Sequence, residues 1–422
     1  MFLAIRTSLA RRLLQRGWLP LLCLALPALA APLTKGPYLQ APGPDSITVM
    51  WETQAGEPGQ LRFGEGERLD RTLGPLTPVR IAGAKAECFV YEAVVTGLKP
   101  GTTYRYEASV GADRSGPRQF KTFDPEAESV TFIAYGDTRT NPDKHTAIAA
   151  LFRRHAPEFI LHSGDLVAKG TQHDLWAKEF FDPLQGVIDE VPLLPSIGNH
   201  EQDGVNYLAY FHQPGDQRTF YSRDIGPVHV LTLDYRSTAM TDEQFAFVQA
   251  DLRASRAPWK IVLLHAPMFN FGGHASLWGH EHYLPLFREM HVDLVLAGHS
   301  HLYERFKPLA PKAQPGAWAI QHVTTGGGGA PLANVVPDPS LVAATKAHHF
   351  ILFTATRDRI DARVIDIEGQ VIDRFSLRKE DGRQPQDILA QVYAEEDVVA
   401  AVKRIPPKRP KTNDGAGANA KK

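Results

Sequence analysis

The stretch "VDLVLAGHSH", residues 292–301, sets an apolar run against two histidines one residue apart. A run that is apolar at consecutive positions reads as a strand covered on both faces, not as a half-exposed one. Histidine makes up only 17 of the 422 residues. A G-H-x-H at the exposed end of such a strand therefore aims two imidazoles into one small volume. Either a metal sits there, or two core histidines happen to be neighbours.

The same style recurs on the N-terminal side of this stretch. "VTFIAY" (130–135), "EFILHS" (158–163), "VPLLPSI" (191–197), "VHVLTL" (228–233) and "WKIVLL" (259–264) are further near-continuous apolar runs. Helical patterns separate several of them. Residues 142–155 place Ile148, Leu151, Phe152 and His155 on one face, and "TDEQFAFVQADLRAS" (241–255) opens with a capping box from Thr241 to Gln244. Residues 128–378 therefore read as layered α/β, a β-sandwich flanked by helices. Residues 34–123 have a different pattern. Short segments such as "SITVMWET", "GQLRFGEG" and "TTYRYEASV" alternate apolar and polar positions, as at Tyr104, Tyr106 and Ala108, between turn residues. They predict a small all-β sandwich joined through the polar linker 124–129. Two domains also suit a chain of this length.

The ends of the chain read differently again. Arg6, Arg11, Arg12 and Arg16 precede the apolar "WLPLLCLALPALA", which closes on Ala28-Leu29-Ala30, a small-x-small cleavage signal. Residues 1–30 are expected to be a cleavable signal peptide, which implies a periplasmic or secreted protein. Removing them takes away four basic residues and no acidic one, leaving 42 basic against 47 acidic, a formal charge of −5. That balance offers no electrostatic footprint for nucleic acid. No second apolar run approaches the roughly 20 residues that span a bilayer, so stable membrane insertion is not expected. Cys88 would be the single remaining cysteine, which excludes an intrachain disulfide. Beyond Lys379 the core is expected to end. A helix is predicted over 386–404, followed by a disordered tail with seven basic residues and one acidic residue from 403 onward.

The polar residues at the strand ends bear on the opening alternative. Five apolar runs finish in a possible metal ligand: Asp137 in "YGDTR", Asp165 in "HSGDLV", Asn199 in "IGNHE", His265 in "LLHAP", and His299 with His301 in "AGHSH". Strand C-termini converge on the ligand crevice of layered α/β folds, so these distant residues can meet. A single histidine after a strand is usually structural, but five strand ends in register point to metal. Carboxylate, amide and imidazole donors suit first-row ions such as iron, zinc or manganese, and six side chains exceed one tetrahedral site. Two metal ions are expected, with Asp165 as the shared carboxylate.

The ordered set "GD…GD…GNHE…H…GHSHLYER" resembles the calcineurin-like metallophosphoesterases and, among them, the purple acid phosphatases. These also carry an N-terminal fibronectin type III-like domain, which "GLKPGTTYRYEASV" resembles. The resemblance covers roughly residues 34–378. It implies that Asp137, Asp165 and His301 hold one ion, that Asp165, Asn199, His265 and His299 hold the other, and that His200 protonates the leaving group. Two departures stand out. The family's GDxxY tyrosine is Ala168 here, and the histidine that other members place two residues after the first Asp is Arg139. The first ion is left one protein ligand short, with weak binding, water or His145 as the ways to complete the site. Tyr135 and Tyr303 lie near the motifs but are expected to pack.

The expected activity is hydrolysis of phosphate monoesters on a phosphorylated small-molecule substrate, by hydroxide formed at the two metals. Arg139 and His274 are candidate substrate-binding residues, and the glycine run "TTGGGG" (324–329) reads as a tight loop beside the site. The alternatives are a phosphodiesterase or nucleotide hydrolase using the same site, and an extracellular binding protein with a depleted metal site.

Overall fold

Alternation of apolar and polar side chains between Leu33 and Lys121 yields two antiparallel sheets. Our computed structural model describes residues 33–406 except 83, 85, 86, 213–218, 237–241 and 315. One N-terminal sheet holds Leu33–Gln40, Ile47–Thr53, Phe89–Val95 and Val79–Arg80. The other is built around Gly59–Glu65 and Thr103–Val110. Their inner faces meet in a core of Val49, Trp51, Leu61, Phe63, Tyr91, Tyr106 and Phe120, where Trp51 and Tyr91 stack at 5.2 Å. The strand Ile47–Thr53 departs from simple alternation because all seven of its residues are buried. Its outward residue Met50 shares a buried cluster with Tyr38 of the neighbouring strand and with Trp176 and Phe181 of the larger domain, so this sheet has no solvent face there.

The larger domain is a sandwich of two mixed sheets. One runs in the order Leu193–Pro195, Phe159–His162, Ser129–Tyr135, His349–Thr356, Arg359–Asp366, Val371–Arg378. The other has seven strands, of which Val228–Thr232, Trp259–Leu264, Leu294–Ala297 and Gln321–Thr325 run parallel. The unbroken apolar runs follow from this layering. Phe132 and Ala134 face the opposite sheet, while Ile133 and Tyr135 of the same strand face the layer outside it. The helices Pro142–Phe152, Asp242–Ala254 and His280–Glu289 lie in the outer layers.

Three details depart from the sequence reading. Helix 142–155 ends as an α-helix at Phe152 and tightens to a 3₁₀ turn, Arg153–His155, which leaves His155 only half-buried. The helix predicted over 386–404 is broken into Gln386–Leu389, a short strand Tyr393–Ala394, and Glu395–Val402. Tyr393 donates its N–H to the Pro308 carbonyl and pairs with Leu309, which interrupts the helix. The acidic first turn Glu395, Glu396, Asp397 then starts a new one. Nor does the core end at Lys379, since Val398 and Val402 are buried in the outer cluster and Lys379 pairs with buried Asp293. The expected signal peptide, the capping residue Thr241 and most of the basic tail lie outside the described residues. Gln244 grips the end of the strand Val228–Thr232, its Oε1 accepting from Asp234 N at 2.9 Å. Among the described residues no helix is long and apolar enough to cross a membrane.

Candidate metal centre

Asp137, Asp165, Asn199 and His299 each follow a parallel strand through a short loop and a preceding glycine, whereas His265 directly follows the strand Trp259–Leu264. The glycines let the loops nest. A Cβ on Gly298 would lie 2.4 Å from Asp137 Oδ2, and one on Gly198 2.4 Å from Asp165 N. Asp137, Asp165 and His299 are themselves held at φ of +57°, +55° and +64°. Non-glycine residues rarely adopt this conformation unless the surroundings impose it, and such strain gathers at functional sites.

All six side chains converge. Asp165 Oδ1 lies 3.3 Å from His265 Nε2. Asn199 Oδ1 is 3.1 Å from both His265 Nε2 and His299 Nδ1, and the two imidazole nitrogens are 3.2 Å apart. On the other side of Asp165, His301 Nε2 stands 3.5 Å from Asp137 Oδ1. The second nitrogens of two of these rings are tied down: His265 Nδ1 is 2.8 Å from the Ser163 carbonyl and His301 Nδ1 is 2.9 Å from that of Pro331. Donation to those carbonyls fixes the tautomer and turns each Nε2 lone pair inward, the usual support of a metal-ligating histidine. Asp165 carries a further load, accepting from His200 N at 2.9 Å.

This donor set fits metal. Asp137 Oδ1 is buried without a hydrogen-bond partner, and Asp137 and Asp165 are 0% and 1% exposed. Two buried carboxylates facing each other require positive charge between them. The titration of His265 reflects that demand: burial alone would lower it, but the Asp165 and Asp137 carboxylates outweigh burial and hold it up at about 9. The Asp165 carboxyl is likewise held far down, the field of His265 outweighing burial. His299, partly buried and beside the His265 and His274 rings, is pushed down to about 2 by desolvation and those rings, so its lone pair is available. Asp137, Asp165 and His265 offer ligand atoms all within 4.8 Å of one another. Glu52, Cys88 and His173 form a second such group, but the Lys35 ammonium already bonds Glu52 there, so no further cation is required.

The flanking residues fall into clear positions. His200, 30% exposed, has Nδ1 2.6 Å from the Ala168 carbonyl and Nε2 3.9 Å from Asp165 Oδ2. Arg139 donates from Nε to Asp165 Oδ2 and from Nη2 toward His301 Nε2, each at 3.2 Å. The exposed His274 ring stands 4.8 Å from that of His299. The glycine loop closes against the ligands, a Cβ on Gly326 lying 2.8 Å from Asp137 Oδ2. His145 does not join them. It is buried with Nε2 3.0 Å from Tyr135 Oη and Nδ1 2.9 Å from the Glu179 carbonyl, and burial lowers it to about 4. Tyr303 donates to Asp373, also away from the site.

Two residues at the site escaped the sequence reading. Glu201, the last residue of "GNHE", is buried and accepts from the amides of Asp165, Leu166 and Gly198 at 2.7–3.0 Å, stitching two ligand loops together. Burial, with Asp165 nearby, raises its pKa to about 7. Tyr235 donates from Oη to Asn199 Oδ1 at 2.8 Å, and its ring lies 5.0 Å from that of His265. Its signal was positional: "LDYR" follows the apolar run 228–233 as the metal motifs follow theirs.

Comparison with known proteins agrees with this geometry. Residues 130–303 match the calcineurin-like phosphoesterase family, and residues 35–122 match the purple acid phosphatase N-terminal domain. The chain is 27% identical over 312 residues to acid phosphatase type 7 of Homo sapiens, covering 64% of this chain and 70% of that protein. It is 26% identical over 294 residues to probable purple acid phosphatase 20 of Arabidopsis thaliana, covering 64% and 68%. A purple acid phosphatase from yellow lupin (Lupinus luteus) seeds shares the fold, with a TM-score of 0.70 at 20% identity over 90% of this chain and 77% of that one.

Proposed function

We infer that this calcineurin-like metallophosphoesterase with a purple acid phosphatase N-terminal domain hydrolyses phosphate monoesters, and does so outside the cytosol. The chain is a metal-dependent phosphatase with a binuclear centre. Asp137, Asp165 and His301 would hold one ion, and Asp165, Asn199, His265 and His299 the other. Ions bound there supply charge to neutralise phosphoryl oxygens and make water acidic enough to attack near neutral pH. His200 is the leaving-group acid. Its Nδ1–H, donated to the Ala168 carbonyl, directs Nε2 toward the site, where a proton on Nε2 can pass to the departing oxygen. The Arg139 guanidinium, 15% exposed, offers paired N–H groups to phosphate oxygens, and His274 offers a donor at the opposite rim.

The observation that carries the reading is Asp137 Oδ1, a buried carboxylate oxygen with no partner, surrounded by five further donors from other strand ends and flanked by His200. Monoesters are favoured over diesters because Arg139 adds a positive charge that a dianionic phosphate uses better than a monoanionic one. Export is supported by the Arg-flanked apolar segment that closes on Ala28-Leu29-Ala30.

The test compares an aryl phosphate monoester with the corresponding diester on the metal-loaded protein. The monoester should have a kcat/KM at least about tenfold higher. Parity or the reverse would turn the reading toward a phosphodiesterase. Export is tested by fractionating cells that make the full chain and weighing the mature protein, which should begin at Ala31. A protein retained in the cytosol with residues 1–30 intact would refute it.

A further inference from the structure

We propose that Arg139 is a built-in competitor for the first metal site, so that the two ions bind unequally and the first is recruited together with phosphate. The proposal rests on the ligand partition just given. His301 has a single inward lone pair, on Nε2, because Nδ1 is 2.9 Å from the Pro331 carbonyl and donates to it. Arg139 Nη2 lies 3.2 Å from that same Nε2. One lone pair cannot serve a guanidinium N–H and a metal ion at once, so filling the first site requires Arg139 Nη2 to leave. The second hold is on Asp165: Arg139 Nε donates to Oδ2 at 3.2 Å, while Oδ1 faces His265 on the other ion's side. Arg139 is therefore anchored on two of the three first-site ligands, Asp165 and His301.

Among the described residues no arginine or lysine opposes the second site in this way. His265 Nε2, His299 Nδ1 and Asn199 Oδ1 face one another at 3.1–3.2 Å, and the one added group, the Tyr235 hydroxyl, is neutral. The second site thus has four protein ligands and, among the described residues, no arginine or lysine bonded to Asn199, His265 or His299. The first has three, and an arginine against two of them.

A displaced guanidinium needs a new anion. Phosphate bound at the centre would offer oxygens to the freed Nε and Nη2 groups in the bidentate geometry that arginine favours. Binding of phosphate and of the first ion should therefore help each other, and by linkage the help must be reciprocal.

The test is native mass spectrometry with buffered free Mn²⁺, counting ions on the wild type, Arg139→Met and Arg139→His, with and without inorganic phosphate. The wild type should fill one site first and the other at clearly higher free metal. Phosphate should shift the weaker step to lower metal. Arg139→Met should tighten that step by about tenfold or more, the worth of one hydrogen bond to a charged group, and should lose most of the phosphate effect. Arg139→His, which supplies an imidazole in place of the guanidinium, should tighten it further. Asp165→Asn controls for the partition itself, because it should weaken both steps. Two equal steps in the wild type, or two steps that both variants leave unmoved, would overturn the proposal while the binuclear reading stands. A wild type that takes up fewer than two ions even with phosphate would instead count against the ligand partition.

Discussion

Replacing Glu52 by glutamine should destabilise the protein by about 3–5 kcal/mol at neutral pH, the cost of leaving one buried charge without its partner. Glu52 is 1% exposed and Lys35 4% exposed. One carboxylate oxygen accepts from the Lys35 ammonium and from Thr34; the other accepts from Tyr210 Oη at 2.7 Å and faces His173 Nε2 at 3.0 Å. The network crosses from the N-terminal sandwich to the larger domain. Its His173 end opens the short helix His173–Leu175, five residues after Ala168, whose carbonyl orients His200. The titration of Glu52 gives a second route to the magnitude. Burial alone would raise its pKa, but the His173 hydrogen bond and the Lys35 charge outweigh that and hold it down at about 2, from 4.5. At about 1.4 kcal/mol per unit, that shift is worth about 3 kcal/mol. A depressed carboxyl contributes its stability above the unfolded pKa and loses it as pH falls toward the folded one. The gap between wild type and Glu52→Gln should thus be full above pH 4.5 and close progressively toward pH 2. Urea unfolding followed by tryptophan fluorescence measures it, with Trp51 in the sandwich core and Trp176 in the larger domain reporting both sides. The double replacement Lys35→Met with Glu52→Leu should recover most of the loss, because a buried pair can be exchanged for apolar packing. A neutral-pH gap below about 1 kcal/mol, or one independent of pH, would refute the reasoning.

Further outcomes follow from the metal centre. Asp165→Asn should lower the content of both ions on metal analysis, whereas His265→Ala should empty mainly one; equal metal in wild type and Asp165→Asn would remove Asp165 from the shared position. His200→Ala should slow alkyl phosphates about a hundredfold or more and aryl phosphates with acidic phenols far less, since an acid matters most for a basic leaving group. Equal slowing would make His200 an orienting residue. With Ala168 at the tyrosine position, aerobic loading with iron should give no tyrosinate-to-iron band in the visible spectrum. Burial, with the Asp165 carboxylate nearby, raises the Tyr235 pKa, and its hydroxyl donates to Asn199. A band present in the wild type and absent in Tyr235→Phe would show that it ligates iron after all.

Much of this protein was legible along the chain, because the physics involved is local or repeats with a fixed period. Alternation at Tyr104, Tyr106 and Ala108 marked a half-buried sheet, and unbroken runs such as 130–135 marked strands covered on both faces. The ligand types Asp, Asn and His after those runs marked a metal site, since strand ends in such a fold converge wherever the chain between them goes. What stayed hidden depended on distant segments meeting. Residues 386–404 carry a helical pattern, but pairing of Tyr393 with Leu309 breaks it. Helix position alone left His145 a possible ligand, and only its contacts with Tyr135 and the Glu179 carbonyl turned it into the core. Tyr235 stands in none of the ligand motifs, so its place beside Asn199 could come only from the packing of two loops. Arg139 could be placed near the first ion from sequence, but its hold on the one free lone pair of His301 is a tertiary fact, because 162 residues separate the two and only the folded sheets bring them within 3.2 Å.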